Sequence, residues 1–366
     1  MKQKFSSLNK LDRTDSIKKR FINNDRRMRL LLMLCFLLLV LSIACAICIG
    51  SANISLKMVF KAVLSRFMPG LFPVVDEVVY NIIWQLRLPR IMLSVFAGAG
   101  LSSAGAVMQA LTRNPLVSPF TVGISNAAAF GASMFIMLGI RIAGSVQTAT
   151  VFGAFVFAML CAVLVYGIAN RAGSSPVSLV LTGTALTYLF SALTNTIQYL
   201  INDDKLAAVV HWTFGSFTKA DAGQILLLLV VIMVTFPVFI KNAWALNALA
   251  SGSDDVARGL GIDVNRVRII LGLLSVTLTA CIISLSGVIG FVGIVGPHIA
   301  RIMIGADHKY LLPFSAFTGG MLVLVSDTLG RTLFAPIIIP VGIVVAYVGV
   351  PLFLQLILSR KELYFK

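Results

Sequence analysis

The chain reads as an all-α polytopic membrane protein of about ten transmembrane helices, and three observations predict that class. Hydrophobic residues make up 58% of the 366 residues and charged residues 12%, about half the charged share of a soluble domain. The apolar residues fall in runs of about 20, the length that crosses a hydrocarbon core of roughly 30 Å. Lys and Arg gather in alternate connections between these runs, as in chains whose cation-rich short loops stay on the cytoplasmic side.

Residues 1–29 hold ten Lys and Arg and are expected to form a basic, polar, mobile cytoplasmic extension. Arg26, Arg27 and Arg29 stand where lipid headgroups begin. The apolar run Leu30–Gly50 has 21 residues, longer than the about 7–15 of a signal-peptide core, so it is expected to remain as the first helix despite the small residues Ala44-Cys45-Ala46 at its end. The second span, 88–108, opens on Arg87 and Arg90, and its Gly, Ala and Ser allow close helix approach before the chain turns at Asn114-Pro115. Spans at 117–139, 147–169 and 176–200 follow. The last of these carries Thr182, Thr184, Thr187, Thr194, Asn195 and Gln198.

A sixth span at 222–240 leads into Lys241–Arg268, the longest polar stretch on the cytoplasmic side after the extension. It reads as two short helices. Ser251 or Ser253 can cap the turn carrying Asp254 and Asp255, Gly259 and Gly261 punctuate its end, and Val256, Leu260 and Ile262 offer an apolar face. The run 268–305 is continuous, and only its glycines with Ser284 and Ser286 divide it into spans 268–286 and 287–305. Spans 311–330 and 335–358 close a transmembrane domain of residues 30–362. Totals of nine or eleven spans stay open.

With residue 1 inside, 21 of the 30 Lys and Arg lie on the cytoplasmic side and nine outside, which places both termini in the cytoplasm. The net charge of +16 is then a topological signal with some attraction to anionic lipid, and no nucleic-acid partner is implied.

Several functions are disfavoured. The five cysteines lie in apolar spans, and Cys45 and Cys48, one turn apart, have no nearby His or carboxylate to complete a metal site. No cofactor is expected. His211, His298 and His308 form no catalytic constellation, so the chain is not read as an enzyme. An ion-coupled secondary transporter would place acids inside the membrane. Only Asp327 lies well within a span, four residues before Arg331 and on the same helix face. No phosphate-binding loop exists, not even a Gly-Lys dipeptide, so any ATPase must be another polypeptide.

Arg87-Leu88-Pro89-Arg90, GAGLSSAGAVMQALTRNPLVSPFTVGIS, LASGSDDVARGLGIDVNRVR, GFVGIVGPHIARIMIGADHKYLLPFSA and IPVGIVVAYVGVPLFLQLILSRK together resemble the FecCD/BtuC-type permeases, membrane subunits of bacterial ABC importers for ferric siderophores, haem and cobalamin. The resemblance covers about residues 30–362 and leaves only the basic extension outside. It implies a BtuC-like subunit of ten helices in the bacterial cytoplasmic membrane. Its partners would be a second permease subunit, two cytoplasmic ATPases and an external solute-binding protein. Carried over by motif, Arg87, Arg90 and Arg331 match residues that dock the binding protein. Ser251, Asp254, Asp255, Val256, Ala257, Arg258, Gly259, Leu260 and Gly261 lie in the match to the ATPase-coupling helices. Ser174, Ser175 and Pro176 match the cytoplasmic gate, and Thr187, Thr194, Asn195 and Gln198 are expected along the pathway. Helix-to-helix hydrogen bonding explains those pathway residues equally well. Ferric siderophore is the expected cargo, with haem or cobalamin as alternatives.

The chain itself adds a weak internal similarity. RIMLSVF at 90–96 and RIILGLLSV at 268–276 both open a span that leads to a proline turn, in opposite predicted directions. This fits an inverted repeat of five plus five helices.

Overall fold

The computed structural model describes residues 2–50, 54–68, 76–173 and 175–359. Among these residues every regular element is helical apart from a single bridge between Ile142 and Ser145.

The first helix, α1, runs from Lys2 to Cys48. The basic extension is therefore not separate from the first span, and the physical reason is local: no Gly or Pro occurs before Gly50. The N-terminal part of α1, expected on the inner side, packs Met28 and Cys35 against Tyr310, Leu311 and Phe314, and its C-terminal end, expected on the outer side, packs Ala46 and Ile47 against Ile83 and Ile91. A short helix, α2 (Leu56–Phe67), is capped by Ser55 and lies beyond that outer end. It is tied down where the Trp84 indole donates to the Ala62 carbonyl at 3.0 Å and Arg66 lies over the Trp84 ring.

α3 (Glu77–Asn81), capped by Asp76, passes through a π-helical stretch, Ile82–Arg87, into α4 (Leu88–Thr112). Pro89 cannot donate a backbone hydrogen bond, and the wider turn falls immediately before it. α4 is the central post of the bundle. A Cβ on Gly98 would overlap the Gly319 carbonyl and one on Gly105 would overlap that of Gly293, so backbones touch where the small residues lie.

α5 (Ile124–Leu138), α6 (Val146–Arg171) and α7 (Pro176–Leu200) complete the first half. An unforeseen helix, α8 (Asp203–Thr213), leads to α9 (Ala222–Lys241). Two short helices follow, α10 (Ala243–Ser251) and α11 (Asp254–Gly259). The second half closes with α12 (Val264–Ser286), α13 (Val292–Ile304), α14 (His308–Thr332) and α15 (Val341–Ser359).

Among the described residues seven helices are long and apolar enough to span a membrane, and α5, α13 and Val341–Gln355 of α15 are shorter apolar helices. Together they match the ten expected. Two spans differ in kind from the expectation. α5 has 15 residues and α13 has 13, so at about 1.5 Å per residue each falls short of the hydrocarbon core. The remainder of 117–139 is a 3₁₀ turn, Pro119–Val122, ending at Gly123 with φ 85°. The remainder of 287–305 is non-helical backbone from Gly287 (φ 73°) to Phe291 (φ 64°). Pro119 and the glycines break each helix, and irregular backbone survives at membrane depth where protein surrounds it. Val122, Ile289 and Val292 are fully buried or nearly so.

Candidate functional site

The outer end brings the three predicted docking arginines together, but as a buried cluster. Arg90 leaves the first turn of α4 and grips Asp327 of α14 with two atoms: Nε lies 3.0 Å from both carboxylate oxygens and Nη2 2.8 Å from Oδ1. Arg331, four residues along α14, stands 3.9 Å from Asp327 and also donates to the Ala46 carbonyl. Arg87, at the end of the π-helical stretch, donates to the carbonyls of Ile47 and Cys48. The Asp327 side chain is fully buried. The attraction is intelligible: the last carbonyls of α1 have no partners within their helix and carry its negative dipole end. The sequence reading paired Asp327 with Arg331 alone, whereas its closer partner lies 237 positions away in α4.

The inner end carries α10 and α11. Ser253, not Ser251, caps α11, accepting from the Val256 N–H at 3.4 Å, while the Ser251 hydroxyl turns back to the Ala248 carbonyl. Gly259 ends the helix and Gly261 follows in a left-handed turn, φ 82°. Val256 and Leu260, 54% and 53% exposed, stand on the outward face. Ile262, expected beside them, is buried, because the turn at Gly261 folds it under the loop against the core. Ala257 is also buried. Asp255 pairs with Arg258 on the surface at 3.2 Å. Asp254 instead turns inward to Arg113 and Arg268.

α10 is latched separately. The Asn247 amide donates to Asp307 at 2.8 Å and its oxygen accepts from the His308 N–H at 2.8 Å, at the α13–α14 junction. Arg301 of α13 donates to Gln109 of α4 at 2.9 Å nearby. In the same region Asp25 of α1 accepts from Lys309 and Tyr310.

Of the predicted gate, Ser175 caps α7 by accepting from the Ser178 N–H at 3.0 Å and Pro176 is the first helical residue. Ser174 lies outside the described residues. Along α7, Thr194 is buried and donates to the Phe190 carbonyl, so it faces the interior of its own subunit. Thr187 is half-buried and bonded to the Gly183 carbonyl. Asn195 is exposed and Gln198 half-exposed. The uncovered face also holds Tyr188, Thr196 and Tyr199, which the sequence reading missed. A count of helical positions from Asn195 would have found them, since 188, 192, 195, 196 and 199 share one side.

No group of His, Cys, Asp or Glu suited to a metal ion occurs among the described residues, and the cysteines, including the C-x-x-C pair Cys45 and Cys48, are free thiols. A cavity of about 370 Å³ is lined by apolar side chains of α1, α4, α9, α12 and α14 such as Phe36, Phe96, Phe236 and Phe317. It offers no charged group to a chelate.

Among the described residues, a bundle of ten apolar helices with a buried polar cluster at one end and two short loop helices at the other defines a multi-pass membrane permease. The chain belongs to the FecCD transport family, whose model matches residues 37–359. It is 37% identical over 333 residues to a permease protein of Methanocaldococcus jannaschii, MJ0087, covering 88% of this chain and 93% of that one. It is 37% identical over 348 residues to the Fe(3+)-citrate import system permease protein YfmE of Bacillus subtilis, covering 94% of this chain and 100% of the relative. It is 34% identical over 333 residues to the hemin transport system permease protein HmuU of Yersinia pestis, covering 90% and 96%. A metal-chelate type ABC transporter solved in an inward-facing conformation superposes with a TM-score of 0.79 at 31% identity, covering 90% of this chain and 99% of that chain.

Proposed function

We propose that this chain is the membrane-spanning permease subunit of a binding-protein-dependent ABC importer that carries an iron complex, a ferric siderophore, into a bacterial cytoplasm. The observation that carries the reading is the pair α10–α11: α10 latched to the bundle through Asn247, and α11 capped by Ser253 and presenting Val256 and Leu260 to water as an apolar ridge for an ATPase groove. The subunit contributes no ATP chemistry of its own. It works with two ATPase subunits, a second permease subunit and an external solute-binding protein, with both termini cytoplasmic.

Cargo passes between two subunits by alternating access. The polar and aromatic face of α7, uncovered in this chain, supports a path at the subunit interface, and the apolar cavity does not suit a chelate. Arg87, Arg90 and Arg331 shape the outer face on which the binding protein docks, and Ser175 and Pro176 begin the inner constriction. Iron complexes are favoured over cobalamin because relatives named for iron citrate, haem and iron hydroxamate recur among those matched. Haem remains the alternative cargo.

An inverted repeat belongs to the same reading. Counting the ten apolar helices, α4 and α12 are second in their halves and each carries a buried Arg followed by Ile near its start, while α5 and α13 are third and each is short with a broken start. Interrupted segments at matching places in two halves mark such repeats. Superposition of residues 30–200 on 222–358 by an in-plane two-fold tests it, and the lack of any such operation would end it.

The functional test is iron uptake in iron-starved cells lacking this protein, supplied separately with hydroxamate and catecholate siderophores, haem and labelled cobalamin. Loss of siderophore uptake, restored by the intact chain, is expected. Loss confined to haem or cobalamin moves the cargo, and no loss for any of them contradicts the import reading.

A further inference from the structure

α11 has two faces with different tasks. Val256 and Leu260 point outward, while Ala257 and Asp254 point into the bundle. The Asp254 carboxylate is shared by two guanidiniums from two different long helices. Arg268, buried in the second turn of α12, donates from Nη2 to Oδ1 at 3.0 Å and to Oδ2 at 3.3 Å, and from Nη1 to Oδ2 at 3.4 Å. Arg113, which ends α4 in a left-handed conformation with φ 52°, pairs with Oδ1 of the same group. Its Nε donates to the Leu249 carbonyl in α10 at 3.1 Å. Burial, then the charge of Arg268, draws the Arg113 pKa below the ordinary arginine range, and an arginine so placed stays protonated at neutral pH. Two cations held this close repel unless the carboxylate stands between them.

The two helices so joined touch each other as well. Ser275 of α12 donates to the Ala104 carbonyl of α4 at 3.0 Å. α4 then runs to the opposite end of the bundle, where Arg90 grips Asp327 of α14.

We propose that Asp254 is a positioning residue that transmits the movement of the ATPases from α11 into α4 and α12 together. It faces away from the ATPase side, so it acts through Arg113 and Arg268 and not by docking. α4 delivers the movement to the outer cluster. This rests on the proposed role of α10–α11 as the helices that meet the ATPases.

The test uses the whole transporter in lipid nanodiscs, with ATPase subunits bound. Hydrogen exchange of the outer segment 331–340 is compared with and without ATP plus vanadate. Wild-type protein is expected to change its exchange there on adding nucleotide. Asp254→Asn should retain the ATPase subunits but lose that change at least fivefold, and Asp254→Glu should restore it to within twofold. Should Asp254→Asn fail to assemble, Arg113→Lys keeps the charge but loses the fork and the Leu249 bond, and the same loss is expected. A normal outer response in Asp254→Asn overturns the proposal, as does a wild type that shows none. Loss of the ATPase subunits on Asp254→Asn, with Asp254→Glu retaining them, would assign Asp254 to docking instead, which also overturns it. Val256→Asp separates the two readings: it should release the ATPase subunits, and if it does not, the ATPase-facing role of α11 fails whatever Asp254 does.

Discussion

Arg90 meets Asp327 at the outer end of α4, and Arg268 with Arg113 meets Asp254 at the inner end. The Asp327 side chain is completely buried, whereas that of Asp254 is 26% exposed. A dry, multiply bonded pair holds two long helices in one register, because breaking it strands charges in a medium that cannot solvate them. A carboxylate that water reaches can exchange partners at smaller cost. The Arg90–Asp327 end is thus built as a fixed staple and the Asp254 end as a joint.

The largest effect is expected where the staple loses its acid. Asp327→Ala leaves Arg90 and Arg331 buried without a counter-charge and should lower stability by about 3–5 kcal/mol, seen as a depressed unfolding midpoint of the purified subunit. An unchanged midpoint would mean that the outer pair is no staple. Next in size is the triple substitution Arg90→Met and Arg331→Met with Asp327→Leu, which removes both buried cations together with their shared acid. Replacing a buried pair or triad with apolar groups of similar volume is neutral or stabilising by about 1–4 kcal/mol, so the midpoint should return to wild type or above. If uptake nevertheless stays low, the charges serve docking as well as the fold.

Asp254→Ala should cost less, about 2–3 kcal/mol, since it strands the buried Arg268 but leaves the partly exposed Arg113 to be solvated by water. A loss as large as that of Asp327→Ala would erase the distinction between joint and staple. The smallest effect belongs to Asp255→Ala, whose 88% exposed side chain meets Arg258 on the same turn. It should move the midpoint by less than about 0.5 kcal/mol, and a larger change would show that the surface of α11 is structurally coupled after all.

Much of this architecture was legible in the chain. Apolar runs at 30–50, 147–169, 176–200 and 311–330 correspond to α1, α6, α7 and α14 because span length is a local property. The small residues of 88–108 marked the helix whose backbone others touch. The short helices α5 and α13 were drawn too long, because hydropathy does not distinguish an apolar helix from apolar irregular backbone enclosed by protein. α8 was missed because nothing in DDKLAAVVHWT marks it off as more than a loop. Ser251 and Ser253 could not be separated by spacing alone, and the cap fell to the residue whose hydroxyl reaches Val256.

By itself the sequence determined the solvent, the places of most apolar runs, the alternation of charge and the loop that forms α10 and α11, since each depends on residue type and local spacing. Tertiary structure alone decided that Arg87, Arg90 and Arg331 turn inward to Asp327 and the end of α1, that Thr194 faces its own subunit, and that Asp254 faces α4 and α12 while Asp255 faces water. Those outcomes depend on which distant carbonyl or carboxylate lies within about 3 Å of a side chain, and proximity of that kind exists only after the helices have packed.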